Sequence, residues 1–473
     1  MVFGASLIGV AVDYSLHYLT RSGTLPEAEE TDSDTAKTPV IKFLLPGLLM
    51  ALATSLVGFG SLLQAPLPGL RQMAVFSMVG LASAWLFVVA VFPILAPRQA
   101  HSPAPTLRFM AKLPYFLHRK APGRRFIALV FAGLTAHGLS QIQASSDIRL
   151  FHTPDPNLLG QQHRIQSLLP AQAPNQFYLV QAPTQEILLQ RLELFRPKLE
   201  SLRDLGVISS YQLLSDALPS LQRQEFTQDL LQNTVYRPGG EAEQVLRTIG
   251  FDAPALAAFQ ESVESTKVLT PEKWLAMAPA QLAQGWLGVY QGQYHSLVTL
   301  GGVKETEALK STASAWAWLQ FVDTVGELSS TLDQQKRSAS LLLILAYILI
   351  GLVLLLRYRC LAALRLLLVP LLASLLALAG LGIVGHAINL FHVFALFLVL
   401  GLGMDYSIFN YEAGTRRDSC LLAIFLSFST SSLSFGLLAL SNTPMIAAFG
   451  LMVFLGSLGN WIMLPLSGSR YSG

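Results

Sequence analysis

Long apolar runs recur along the chain at 2–19, 41–63, 72–97, 125–141, 339–356, 361–384, 389–409, 420–440 and 444–466. Each approaches the roughly 20 residues that cross a hydrocarbon core, so the pattern predicts nine membrane helices. The run at 125–141 is short and carries His137, but Arg124 and Arg125 precede it and a polar stretch follows, as for a tilted span. Between 142 and 336 the periodicity changes. Phe177-Tyr178-Leu179-Val180 reads as a strand, 185–204 as a helix and Val207–Leu214 as a second strand. Helical patterns follow near 221–233, 241–249 and 255–266, then strands at Ser296–Val303 and Trp318–Val322, and an amphipathic stretch, 324–337, that feeds the next span. A split βαβ arrangement is the expected fold of this block.

Composition places the chain in a bilayer: 52% of its 473 residues are hydrophobic and 13% are charged. The formal net charge of +3 lies in short loops and forms no continuous basic face, which excludes nucleic acid as a partner class. The same charges set topology. Residues 98–125 hold Arg98, Arg108, Lys112, Arg119, Lys120, Arg124 and Arg125 with no acid, so the positive-inside rule assigns them to the cytoplasm. Arg357, Arg359, Arg365, Arg416 and Arg417 agree, and the polar block falls on the opposite side. Cys360 and Cys420 lie near predicted cytoplasmic helix ends, so no disulfide framework supports the outer block. Met1 leads straight into an apolar run without a signal-peptide pattern, and the chain reads as starting within a longer protein.

The chain repeats itself. Gly9-Val10-Ala11-Val12-Asp13-Tyr14-Ser15 matches Gly401-Leu402-Gly403-Met404-Asp405-Tyr406-Ser407 at an offset of 392 (405 − 13). At an offset of 376 (430 − 54), Thr54, Ser55, Phe59, Gly60, Pro68, Gly80 and Trp85 match Thr430, Ser431, Phe435, Gly436, Pro444, Gly456 and Trp461. The acidic loop Pro26–Thr38 accounts for the shift. Parallel repeats are a transporter architecture with the site where the halves meet. The expected segments are 1–97, the last three spans of the first repeat, and 98–123, a basic cytoplasmic linker. Next come 124–141, the first span of the second repeat, 142–336, the outer α/β domain, 337–466, five further spans, and 467–473, a cytoplasmic tail.

Asp13 and Asp405 are the sharpest chemical signal, since an ionisable group inside a spanning helix costs on the order of 3 kcal/mol on insertion scales. Gly9 and Gly401 stand four residues earlier on the same helix faces, where small residues let helices approach. Tyr14 and Tyr406, with Ser15, Ser407, Thr54 and Thr430 as support, are placed to solvate a carboxyl that gains and loses a proton. The competing reading, aspartates that merely join helices through hydroxyls, is weakened because both copies carry the acid in one motif. Hydroxyls bonding back to their own helix are the alternative role for Thr430 and for Ser427, Ser429, Ser431, Ser432 and Ser434. His17 is expected at the cytoplasmic interface and Glu412 in cytoplasmic water.

The paired Gly-x-x-x-Asp-Tyr motifs, the repeated spans and the outer domain together resemble the MMPL branch of RND-superfamily exporters. That resemblance implies a polytopic α-helical membrane protein with an RND-type duplicated bundle and one extracytoplasmic, ferredoxin-like porter domain. It implies a proton relay through Asp13-Tyr14 and Asp405-Tyr406, with protons as coupling ion and no cofactor or metal. It also implies proton-motive-force-driven export of a lipid-like, lipid-linked or otherwise hydrophobic substrate from a bacterial inner membrane, with membrane lipids, further copies or periplasmic proteins as partners. One porter domain and three helices of the family plan are absent, which leaves a membrane scaffold, a lipid sensor or an inactive portion of an exporter as the alternative. No metal-ligand spacing, phosphate loop or hydrolase triad supports an enzyme.

Overall fold

A computed structural model describes residues 2–22, 40–65, 68–95, 105–117, 121–142, 157–158, 160–161, 164, 175–237, 239–264, 268–279, 283, 285–413 and 417–468. Two compact units emerge, Met1–Thr153 with Leu328–Gly473, and Pro154–Glu327. The acidic loop Pro26–Thr38, the basic residues 98–104 and the tail beyond 468 lie outside the described residues.

The first unit is helical. Its elements are α1 (Val2–Ser22), α2 (Val40–Ser61) and α3 (Pro68–Ala90), then α4 (Pro105–Leu117) and α5 (Ala121–Ser140). The second unit runs β1 (Gln176–Ala182), α6 (Gln185–Asp204), β2 (Ser210–Gln212), α7 (Leu221–Thr234), α8 (Glu241–Thr248), α9 (Ala253–Glu264) and α10 (Pro271–Met277). It continues through β3 (Trp286–Tyr290), β4 (Gln293–Gly301), α11 (Thr306–Ala313) and β5 (Leu319–Asp323). The helices α12 (Thr324–Arg357), α13 (Cys360–Val384), α14 (Leu390–Glu412), α15 (Arg417–Ala439) and α16 (Pro444–Met463) complete the chain.

Among the described residues seven helices are long and apolar enough to cross a membrane: α2 and α3, each with a short continuation, and α12 to α16. The chain is a multi-pass membrane protein. The two other expected spans form α1 and α5, of 21 and 20 residues. At 34 residues α12 is about 51 Å long, which exceeds a hydrocarbon core of about 30 Å. The amphipathic stretch 324–337 forms the first turns of the span that it feeds.

Packing separates inner from outer helices. α14 is buried along nearly all its length, whereas α3 is mostly exposed. α14 packs against α2, α13 and α16, and α1 against α3 and α15. The α5–α13 crossing is close enough that a methyl at Gly138 would strike the Ala379 backbone and one at Gly382 the Gly138 carbonyl.

In the second unit β1 pairs antiparallel with both β4 and β5, and β2 and β3 pair antiparallel with β4, giving the order β2-β4-β1-β5 with β3 at the side. Hence β1 and β2 run parallel with β4 between them, and β4 and β5 run parallel with β1 between them. Alternation along β1 buries Tyr178, Val180 and Ala182, while α6 turns Leu188, Leu192, Phe195, Leu199 and Leu202 inward at helical spacing. Thr184 caps α6 by accepting from the Ile187 amide at 3.2 Å. The β3–β4 hairpin turns through Gln291 and Gly292, both at positive φ, as a two-residue type I′ turn requires.

Phe195 is fully buried and meets the rings of Tyr178 and Trp316 edge-on at 5.0 and 5.5 Å. Phe195→Ala is expected to destabilise this unit by about 3–5 kcal/mol through the cavity it leaves. Limited proteolysis of the full chain, read as faster cleavage between residues 175 and 323 with the membrane helices still intact, checks it.

Candidate functional site

The repeated motifs become one buried cluster. Asp13 and Tyr14 lie on α1, Asp405 and Tyr406 on α14, and both aspartates are 1% exposed. The carboxyls lie within electrostatic reach of each other, and each tyrosine lies within reach of both. The Asp13 carboxyl faces the Ser427 hydroxyl of α15. The Tyr14 phenol faces Ser55 of α2, and the Tyr406 phenol faces Ser431 of α15 and Ser457 of α16.

None of these approaches closes into a full hydrogen bond. Among the described residues, both oxygens of each aspartate, both phenols and the hydroxyls of Ser55, Ser427, Ser431 and Ser457 are buried and have no hydrogen-bond partner. No ion pair among the described residues includes either aspartate. An isolated ion in an apolar interior is strongly disfavoured, so a charged carboxyl here depends on these hydroxyls or on water to solvate it. The arrangement is suited to groups that exchange partners.

The supporting residues differ from the sequence-based expectation. Thr54 is buried, but its hydroxyl donates to the Met50 and Ala51 carbonyls at 3.0 Å. Thr430 stands on an exposed face and donates to its own helix at Leu426 and Ser427. Ser407 donates to the Gly403 carbonyl at 2.6 Å, and Ser15 is half-buried. The cluster is instead lined by the next residue along each helix, Ser55 and Ser431, and by Ser427 and Ser457. A helix advances about 100° per residue, so a one-position error turns a side chain away.

The glycines shift similarly. Among the described residues nothing lies within 4 Å of a methyl at Gly401, so none of them packs closely against it. One at Gly403 would strike the Asn460 side chain and the Pro370 ring. Gly9 lies on α1, and its surroundings are outside the described residues.

Two further positions are corrected. His17 is not open to water: it is 3% exposed and stacks on Phe409 with ring centroids 3.7 Å apart. Phe409 is the residue that corresponds to His17 at the offset of 392 (409 − 17). Glu412 is not free in water either, since it accepts from Tyr358 at 2.6 Å and pairs with Arg357 at 3.4 Å. Beside the His17–Phe409 stack lies a cavity of about 20 Å³, room for one water, lined also by Arg21, Glu412, Ser419 and Cys420. Among the described residues no group of three or more His, Cys, Asp or Glu side chains could hold a metal ion.

The stack closes this cavity on one side, and Cys420 is its chemical reporter. Cys420 is buried, with its Sγ on the Phe409 carbonyl at 3.3 Å, whereas Cys360 is exposed. The wild-type chain is expected to label at Cys360 alone with a polar maleimide. Phe409→Ala is expected to raise labelling of Cys420 by about tenfold or more as water enters the void. Peptide mass mapping of both cysteines in one sample checks it, Cys360 serving as internal reference.

No family model matches the sequence, and no curated protein matches it. Among solved structures the chain is similar to SecDF, crystallised in its super-membrane-facing form, at 12% identity and a TM-score of 0.44. The alignment covers 98% of this chain and 53% of that one, so the chain spans about half the length of the structure it matches.

Proposed function

We propose that the chain is the proton-coupling part of an RND-type exporter of the MMPL kind, driving a lipid-like or other hydrophobic substrate out of an inner membrane. The observation that carries this reading is the pair of buried, unpaired carboxyls from corresponding motifs, meeting across two helix sets. Reciprocal packing supports the duplicated bundle. α1 packs on α15 while its counterpart α14 packs on α2, the counterpart of α15. The stack of His17 on its own counterpart Phe409 supports a relating axis near these rings. The interleaved βαβ connections of the second unit support a ferredoxin-like porter domain.

In this mechanism a proton enters the hydroxyl-lined cluster from one side and neutralises a carboxyl, relieving the repulsion between Asp13 and Asp405. The two helix sets then shift about the His17–Phe409 axis and release the proton to the other side. Tyr14 and Tyr406 face both acids and can donate to whichever is charged, with Ser55, Ser431 and Ser457 accepting in turn. Export follows if the shift is transmitted to the porter domain.

The test is reconstitution into vesicles carrying a fluorescent lipid-like probe and an imposed pH gradient. Release that depends on the gradient and stops with a protonophore supports the proposal. Proton movement without release would leave a coupling subunit lacking its export path, and neither would favour the scaffold or sensor reading.

A further inference from the structure

The residue stretch read from sequence as a basic linker contains a built groove. α4 presents Arg108, Lys112 and Tyr115 on one stripe at i, i+4 and i+7, with Phe109 and Phe116 on the adjoining stripe. Its opposite side, Ala111 and Pro114, is buried, and α4 packs on α15 and α16. Between α4 and the first turn of α15 lies a groove of about 560 Å³ lined by Arg108, Phe109, Lys112, Tyr115, Phe116, Arg417, Asp418 and Leu421.

We infer that this groove binds the phosphate of an anionic phospholipid of the cytoplasmic leaflet. Among the described lining residues are three cations, Arg108, Lys112 and Arg417, and one acid, Asp418, so that lining is cationic. Asp418 is held by Lys112 at 2.6 Å, but both side chains are substantially exposed, and such a pair contributes little and yields to a phosphate. Arg417 is pre-positioned. Its guanidinium lies 4.3 Å from the centre of the Tyr115 ring, whose hydroxyl is fixed on Asn410 at 2.9 Å. The Arg417 Nε is buried and makes no hydrogen bond.

Apolar neighbours distinguish a lipid from a free phosphate. Phe109 and Phe116 are 60% and 64% exposed, and Leu107 and Met110 are also exposed on this 13-residue helix. Such side chains beside Arg and Lys suit a helix lying in the headgroup region, with acyl chains against the rings and the phosphate among the cations. The positive-inside rule sets this end of the bundle at the cytoplasmic leaflet, where anionic lipids interact with basic clusters. The inference is independent of proton coupling.

The experiment is native mass spectrometry of the full chain released from mixed micelles of phosphatidylglycerol and phosphatidylcholine with matched chains. The wild-type chain is expected to retain phosphatidylglycerol preferentially. Each cation contributes about fivefold, so Arg108→Gln with Arg417→Gln is expected to lower that preference by about 25-fold. Asp418→Asn is expected to raise it, a gain that a disturbed fold would not produce. Equal retention of both lipids by the wild-type chain, an unchanged preference in the double variant, or a loss in Asp418→Asn would overturn the inference. Displacement of the lipid by millimolar inorganic phosphate would overturn the lipid assignment in favour of a soluble anion, and resistance to it supports the lipid.

Discussion

Asp405→Asn is expected to reduce gradient-driven release by about 100-fold or more while leaving the chain folded, since a positioned proton-transfer group contributes on that scale. The substitution keeps the size of the side chain and its capacity for hydrogen bonds but removes the exchangeable charge. Replacing a buried acid that lacks an ion-pair partner by a neutral isostere carries no electrostatic loss, so stability is expected to hold. Asp13→Asn is expected to behave alike, and the double variant to be no worse than either single one, because two groups acting as a unit do not contribute additively. Vesicle release assays paired with thermal melts of the same preparations check this. Wild-type release by Asp405→Asn would end the coupling proposal, whatever the fate of the lipid groove.

The two acids are not equivalent despite their shared motif. Asp13 faces the Ser427 hydroxyl, and the residue corresponding to Ser427 in the first half, at the offset of 376, is Ala51. Asp405 accordingly lacks that hydroxyl. A relay with one better-solvated and one poorer-solvated member has a preferred order of occupation, which a symmetric pair lacks. The hydroxyls at Ser55 and Ser431 do correspond, each facing its own tyrosine. The tyrosines differ too, since Tyr406 also faces Ser457, and the residue corresponding to Ser457 in the first half, at the offset of 376 (457 − 376 = 81), is Leu81.

How much of this was legible in the sequence depended on the kind of signal. The acids announced themselves, because a carboxylate inside an apolar run is costly and the repeat supplied an internal comparison. Part of the second unit was legible too, β1 from Tyr178, Val180 and Ala182 alternating and α6 from its 3.6-residue spacing, whereas α10 and α11 are absent from the expected elements. The facing of each hydroxyl was not. Thr54 and Ser55 are adjacent on a helix apolar all round, so only the neighbour in space decides which one meets Tyr14. Ser457 belongs to no motif, and His17 owes its burial to Phe409, a partner 392 residues away (409 − 17). β3 was missed because it is short and its register slips between Trp286 and Gly288. α4 was read as a linker because Pro105, Pro114 and its cations hid an amphipathic helix only 13 residues long.

Gly403 and Gly401 offer a paired stability test on one helix. Gly403→Val is expected to cost about 3–5 kcal/mol, from overpacking together with a broken buried hydrogen bond. An added Cβ would strike the Asn460 carboxamide and come within 2.7 Å of Pro370. Asn460 is fully buried and donates to the Val399 carbonyl at 2.8 Å, so displacing it leaves the Asn460 amide unpaired. Gly401→Ala, two residues earlier, meets no described residue within 4 Å and is expected to leave the melting temperature unchanged or slightly higher, since alanine is the better helix former. Thermal unfolding of detergent-solubilised chain, followed by size-exclusion chromatography, separates the two. Adding Asn460→Ala to Gly403→Ala is expected to recover part of the loss seen in Gly403→Ala alone. That coupling would assign the cost to the α14–α16 contact, whereas simple additivity of the two changes would place it at Pro370 on α13.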